Sequence, residues 1–146
     1  MVDMDPVVVR DATGSDTTTM ADLLGQLGYP TPAAAIPARL ARMAAEVGQH
    51  VLVADVGGRV VGLATMVVRH VIVQDAPSAR LMAIVVSDDR RGQGVGRALV
   101  AAAERLARDA GCSVMEVTSA QRRAGAHLFY QQLGYVERRR RYLKDL

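Results

Sequence analysis

The chain has very little cysteine and very few aromatic residues. Of its 146 residues one is cysteine, one is phenylalanine, four are tyrosine and none is tryptophan. The single cysteine, Cys112, cannot form an internal disulfide, and no second Cys or nearby His gives it metal-ligand spacing. We therefore interpret Cys112 as a small apolar core residue and expect no bound metal. So few rings leave no stacking platform for bases, and the composition does not favour nucleic-acid binding.

Long apolar runs are also missing. The longest, such as Leu81 to Val86, are far shorter than the roughly 20 residues that cross a bilayer, so no membrane-spanning segment is predicted. The first six residues are acidic and lack the apolar core of a secretory leader, which makes the cytoplasm the expected location. Half of the residues are hydrophobic, and the length suits a single domain over residues 1–146 with a substantial core.

The positive charge is concentrated near the C-terminus. The net charge is +3, and four consecutive arginines occupy positions 138–141. In an alternating strand these side chains would lie on both faces, as is typical of a solvated edge that discourages aggregation. We therefore interpret the run as a charged surface. This interpretation leaves open whether the protein binds acidic substrates or partners.

Hydrophobic periodicity predicts strands that alternate with helices. Gly57-Gly58 has the chemistry of a hairpin turn between two strands, and Leu81 to Val86 is apolar on both faces, as a strand buried within a sheet must be. This order predicts a mixed sheet flanked by helices. The predicted strands lie near 7–9, 51–56, 60–73, 81–86, 114–118 and 135–143, and the predicted helices near 17–27, 37–47, 95–110 and 124–133.

The most informative segment lies between the buried strand and the longest predicted helix. Residues 87–97 read Ser-Asp-Asp-Arg-Arg-Gly-Gln-Gly-Val-Gly-Arg. Closely spaced glycines allow a tight turn whose N–H groups point into one concavity, and the helix behind it adds its positive N-terminal dipole. Such a loop is suited to bind phosphate. It matches neither the dinucleotide fingerprint, because Arg97 or Leu99 replaces the last glycine, nor the triphosphate loop, because Gly-Lys-Ser/Thr is absent.

Two motifs in order resemble those of the GNAT superfamily of N-acetyltransferases. Arg91-x-x-Gly94-x-Gly96, after an apolar strand and before an amphipathic helix, is similar to the family's acetyl-CoA pyrophosphate motif. Ala126 to Tyr135, Ala-His-Leu-Phe-Tyr-Gln-Gln-Leu-Gly-Tyr, is similar to its second motif. The resemblance covers roughly residues 80 to 136. It implies a GNAT-like α/β (α+β) fold with a mixed, mostly antiparallel central sheet of about six to seven strands and about four helices.

The resemblance also implies where acetyl-CoA binds as co-substrate. The backbone of the buried strand would pair with the pantetheine arm, because this strand parts from the next one to admit it. The diphosphate would bind the N–H groups of the glycine-rich turn, with Arg91 at its mouth. The implied cofactor-binding residues are Ile84, Val85, Val86, Arg91, Gly92, Gln93, Gly94, Val95, Gly96 and Arg97.

The implied chemistry is direct attack of a neutral amine on the thioester. Tyr130 occupies the position that serves as general acid in many relatives, and a phenol is protonated at neutral pH. Many relatives carry a carboxylate on the buried strand, but this chain has Leu81-Met82-Ala83-Ile84 there. Glu116 and His70, with Asp75, are the candidate general bases, although each also fits an ordinary surface role. An acceptor with a low amine pKa would need no base.

The leading hypothesis is an enzyme that acetylates an amine of a small molecule. The alternative is a catalytically idle acetyl-CoA-binding domain that senses the cofactor or mediates assembly. The missing strand carboxylate favours the alternative, and Tyr130 favours the enzyme. The acceptor is expected to lie among the first two helices, the loop from Tyr29 to Pro37 and the last hairpin. Relatives are frequently dimers, which makes a homodimer through the last strand a candidate assembly.

Overall fold

A computed structural model describes residues 5–118, 124–138 and 142–146 of the chain. Within those residues five strands form one sheet in the order β1-β2-β3-β4-β5. The first three pairings are antiparallel, whereas β4 and β5 are parallel because α3 connects them. The elements are β1 (Val7–Asp11), α1 (Thr17–Leu27), α2 (Ile36–Ala44), β2 (Gln49–Val56), β3 (Arg59–Arg69), β4 (Ser78–Val86), α3 (Val95–Asp109), β5 (Met115–Val117) and α4 (Ala124–Gln132).

The mixed, mostly antiparallel sheet and the four helices are confirmed, but the strand count is lower than the predicted six to seven. The last strand, predicted over 135–143, is absent from its described residues 135–138 and 142–143, and residues 139–141 lie outside the described part. At the start of this stretch Tyr135 donates its backbone N–H to the Tyr130 carbonyl at 3.0 Å. Residues 136–138 are exposed, so no apolar burial holds them against the sheet.

Several further boundaries differ from the sequence prediction, among them the end of α2, which lies at Ala44 rather than near 47. β3 ends at Arg69 rather than near Val73, since Ile72 and Val73 are fully or largely exposed and gain nothing from pairing. β4 begins at Ser78, three residues before the apolar run, because its first residues pair with the end of β3.

Helices cover both faces of the sheet. On one face α3 packs over the buried residues of β2 to β4, with Leu99, Val100 and Ala103 fully buried. On the other face α1 contributes Met20 and Leu23 to a second cluster with Leu63 and Val85 of the sheet. The central strands β2 to β4 therefore alternate between two apolar environments, which is the reason for their period-two pattern.

A buried ion pair joins β1 to α1. Arg10 donates from both terminal nitrogens to the carboxylate of Asp16 at 2.9 Å, and Asp16 is only 6 % exposed. This guanidinium and the N–H of Thr13 lower the pKa of Asp16 to about 2, against the opposing effect of burial. Arg10 also contacts Asp55 of β2 at 3.3 Å. The cluster thus fixes α1 on the sheet edge.

Candidate active site

The end of β4 carries an irregularity of the sheet. In the described part of the chain β4 pairs with β5 from Ala79 opposite Met115 to Leu81 opposite Val117, and residues 119–123 lie outside that part. Beyond Leu81, residues 83–86 of β4 pair with β3. A register shift leaves Met82 as an extra residue, and its side chain is 51 % exposed. A bulge bends a strand and increases its twist, so β4 changes direction directly after its last described pair with β5.

An open turn of backbone amides follows β4. Gly92 and Gly94 have φ angles of 75° and 85°, a region that side-chain-bearing residues rarely adopt. Gly94 is the N-cap of α3, and within the described residues no side chain caps this helix. A Cβ added at either glycine would meet no described atom within 4 Å. The space beside the turn is therefore open, and the uncapped first N–H groups of α3 suit a diphosphate.

Three side-chain contacts that the sequence did not predict hold this turn. The Ser87 hydroxyl donates to Asp89 at 2.6 Å, and Arg59, from the start of β3, forms an ion pair with Asp89 at 2.9 Å. These two partners lower the pKa of Asp89. The N–H of Asp88 donates to Gln26 of α1 at 2.9 Å. Because Gln26 and Arg59 are distant in sequence, no local pattern could have identified them.

Arg91 lies at the start of the turn, and its side chain is half exposed. Its guanidinium pairs with Asp88 at 2.7 Å and donates to the Val86 carbonyl at 3.4 Å. Asp88 offsets part of its positive charge, so the backbone amides and the helix dipole carry much of the attraction for an anion at this site.

Gly96 has a packing role that differs from that of the other two glycines. Its φ is not positive, but a Cβ at this position would lie 3.2 Å from the ring of Phe129 and 3.6 Å from Val86. The missing side chain thus lets α4 approach the first turn of α3. This contact joins the two motifs that the sequence analysis identified separately.

The candidate general acid, Tyr130, lies on α4 between two aromatic rings. Its ring centroid is 5.1 Å from that of Phe129 and 5.8 Å from that of Tyr135, both in edge-to-face geometry. Tyr135 donates its hydroxyl to Glu104 of α3 at 2.7 Å. Burial and this carboxylate raise the pKa of Tyr135 well above its usual range. The rings and α3 together fix the orientation of Tyr130.

The two candidate bases occupy unequal positions. Glu116 is exposed on β5, one residue before the last β4–β5 pair. His70 is exposed just beyond β3, four residues past Met66, which pairs with Leu81. At about 3.3 Å per residue, His70 lies roughly 13 Å along the sheet from Leu81. Glu116 therefore lies closer than His70 to the last described β4–β5 pair, and Asp75 is exposed in the β3–β4 loop.

Cys112 is partly buried after the end of α3, and burial raises the pKa of its thiol. This agrees with an inert packing residue. Across residues 5–118, 124–138 and 142–146, no three His, Cys, Asp or Glu side chains cluster as metal ligands. Over the same ranges no helix has the length and apolar content required to cross a bilayer.

Comparison with solved structures gives the same fold. A transcriptional regulator from Bacillus halodurans C-125 is 25% identical, with 97% of this chain and 100% of that chain covered and a TM-score of 0.85. An aminoglycoside N-acetyltransferase, AAC(6')-Iy in complex with CoA, is 23% identical, with 97% and 95% covered and a TM-score of 0.83. The second likeness shows the fold alone.

Comparison with curated proteins and with family models identifies the family. The aminoalkylphosphonate N-acetyltransferase of Salmonella typhimurium is 38% identical over 66 residues, which are 45% of this chain and 43% of that protein. The match thus spans less than half of that relative. The model of the acetyltransferase (GNAT) family matches residues 19–135, most of the chain including both motifs. This chain belongs to the acetyltransferase (GNAT) family.

Proposed function

We propose that the protein is an acetyl-CoA-dependent N-acetyltransferase that transfers the acetyl group directly to an amine of a small molecule through a ternary complex. The observation that carries the proposal is the open turn of backbone amides at the start of α3, which follows β4. A CoA-bound neighbour of the same fold and a relative named for aminoalkylphosphonates support this choice of cofactor and acceptor class.

In this proposal the two backbone segments bind the two halves of acetyl-CoA. Here β4 parts from β5, and the N–H and C=O groups of Ile84, Val85 and Val86 on the edge away from β3 pair with the amides of the pantetheine arm. The N–H groups from Gly92 to Arg97 bind the diphosphate, and Arg91 adds charge at the mouth. These contacts hold the thioester beside β4, where a bound amine needs no covalent acetyl-enzyme.

The chemical step then requires two hydrogen-bond donors. A neutral amine attacks the thioester carbonyl, and a backbone N–H of β4 near Ile84 donates to the carbonyl oxygen as negative charge develops on it. Tyr130 donates its phenolic proton to the departing sulfur. Glu116, acting through water, is the better placed candidate to accept the proton of the amine, and an acceptor of low amine pKa needs no base.

A thiol-release assay tests the proposal. The protein is incubated with acetyl-CoA and a panel of small amines, while free thiol is followed and the acetylated product is identified by mass spectrometry. We expect thiol release that depends on the amine and on Tyr130. Binding of acetyl-CoA without turnover of any amine would contradict the proposed enzymatic activity. It would support the alternative of a catalytically idle acetyl-CoA sensor, which the absence of a carboxylate at 81–84 favours.

A further inference from the structure

The end of α4 brings the ring of Tyr135 against the ring of Tyr130. Gly134 lies two residues after the helix with a φ of 90°, which turns the chain back on itself. The N–H of Tyr135 donates to the Tyr130 carbonyl at 3.0 Å, and the N–H of Gly134 donates to the Gln131 carbonyl at 3.0 Å. These two bonds form a Schellman motif, in which the residue after the glycine packs against a residue of the last helical turn. The proposed general acid therefore shares its helix end with Tyr135.

Apolar burial holds this end of α4 only in part. Phe129, Tyr130, Leu133 and Tyr135 all pack against the core cluster of α3, but none of them is fully buried, whereas Leu99 of α3 is. Less buried apolar area means a smaller hydrophobic contribution to the position of the helix. A polar contact between this segment and α3 therefore has a larger share in fixing it.

Glu104 supplies that polar contact from the middle of α3. Its carboxylate accepts the hydroxyl of Tyr135 at 2.7 Å, across 31 residues of sequence. Arg108, one turn further along α3, lies 3.7 Å from the other carboxylate oxygen. Burial and this carboxylate raise the pKa of Tyr135, so the phenol keeps its proton and remains the donor. A hydrogen bond to an ionised acceptor away from bulk water is stronger than one between neutral groups.

We propose that Glu104 is a positioning residue of the acetyl transfer, which holds Tyr135 and through it the phenol of Tyr130. Glu104 itself touches neither substrate. It ties the general acid to α3, the helix whose first turn binds the diphosphate, so that the acid and the cofactor site share one rigid element. The inference rests on the proposed function, in which Tyr130 donates a proton to the departing sulfur.

Steady-state kinetics with three variants tests this role. Glu104→Ala and Tyr135→Phe each remove the hydrogen bond, and we expect either to lower kcat about 5- to 20-fold while the KM of acetyl-CoA stays within about twofold. Glu104→Gln keeps an oxygen acceptor and should retain kcat within about threefold. Asp109→Ala removes an exposed carboxylate from the same helix and is the matched control. Tyr135→Phe keeps the ring and the helix cap, and serves if Glu104→Ala does not fold.

A double-mutant cycle separates positioning from a general loss of structure. In the Tyr130→Phe background, Glu104→Ala should change the residual kcat by less than about twofold, because the group that it positions is gone. A further fall of about 5- to 20-fold in that background would show that Glu104 acts independently of the Tyr130 hydroxyl, and would overturn the inference.

The tyrosine ring signals in NMR spectra give a readout that needs no turnover. The chain has four tyrosines, so ring-labelled protein gives four sets of signals, and Tyr130→Phe identifies that of Tyr130. In the acetyl-CoA-loaded protein, Glu104→Ala and Tyr135→Phe should shift or broaden the Tyr130 signal and leave those of Tyr29 and Tyr142 in place. This change without turnover of any amine would defeat the proposed enzyme and keep the positioning role. An unmoved Tyr130 signal in both variants would overturn the inference.

Discussion

Tyr130 and Tyr135 carry the same phenol group in different surroundings. Tyr135 donates its hydroxyl to Glu104, and its raised pKa means that it keeps its proton throughout the neutral range. We assign it a positioning role because its ring also packs edge-to-face on Tyr130. Tyr130 is the tyrosine that the family motif marks as the acid, and its ring is held from two sides.

Removing the Tyr130 hydroxyl tests its role as proton donor. Tyr130→Phe keeps the ring contacts, so we expect kcat to fall about 100-fold while the Kd of acetyl-CoA stays within about twofold. Tyr142→Phe removes a hydroxyl from an exposed tyrosine and is the matched control. Steady-state kinetics with calorimetry measures both quantities, and an unchanged kcat would remove Tyr130 from the mechanism.

Asp16 gives the stability of the fold a defined pH dependence. Its pKa is about 2 in the folded chain, below its ordinary value of 3.8, so its ion pair with Arg10 stabilises the fold above about pH 4 and is lost as the pH falls toward 2. The shift corresponds to about 2 kcal/mol. Urea unfolding of wild type and Asp16→Asn from pH 6 to pH 2 should give free energies that converge at low pH. A constant difference between the two free energies of unfolding from pH 6 to pH 2 would contradict this role of the Asp16 carboxylate.

At the scale of elements, the first turn of α3 depends on its contact with α4. In Gly96→Ala the new methyl meets the Phe129 ring at about 3.2 Å, and we expect a net loss of about 1 kcal/mol with weaker acetyl-CoA binding. Gly25→Ala in α1 meets no atom within 4 Å and should instead stabilise the fold by about 0.5–1 kcal/mol. Thermal unfolding of both variants measures the difference.

A second substitution checks the physical cause at Gly96. Gly96→Ala combined with Phe129→Leu reduces the clash, and the pair should be less destabilised than the sum of the two single changes. Strict additivity would show that the two positions are not coupled in this way.

Local patterns predicted most elements but not their irregularities. The spacing of Met20, Leu23 and Leu27 predicted α1, and the stripe that includes Leu99 and Ala103 predicted α3. The extra residue at Met82 was not predictable, because a bulge depends on how β4 pairs with β3 rather than on the sequence of β4 alone. The early end of β3 was missed since Ile72 and Val73 are apolar yet exposed.

At the scale of the whole molecule, the glycine-rich turn was predictable because its signal is local, whereas the contacts that hold it are not. Arg59 reaches the turn from the start of the neighbouring strand β3, and Gln26 reaches it from α1. These contacts depend on strand register and helix packing, which no local pattern in residues 87–97 encodes.

The central claim is that main-chain amides from Gly92 to Arg97 and the edge of β4 away from β3 bind acetyl-CoA. Calorimetric titration of the purified protein with acetyl-CoA, accompanied by thermal unfolding, tests it most directly. We predict saturable one-to-one binding and an unfolding temperature that rises with ligand concentration. Neither heat of binding nor a rise in unfolding temperature at saturating acetyl-CoA would contradict the account.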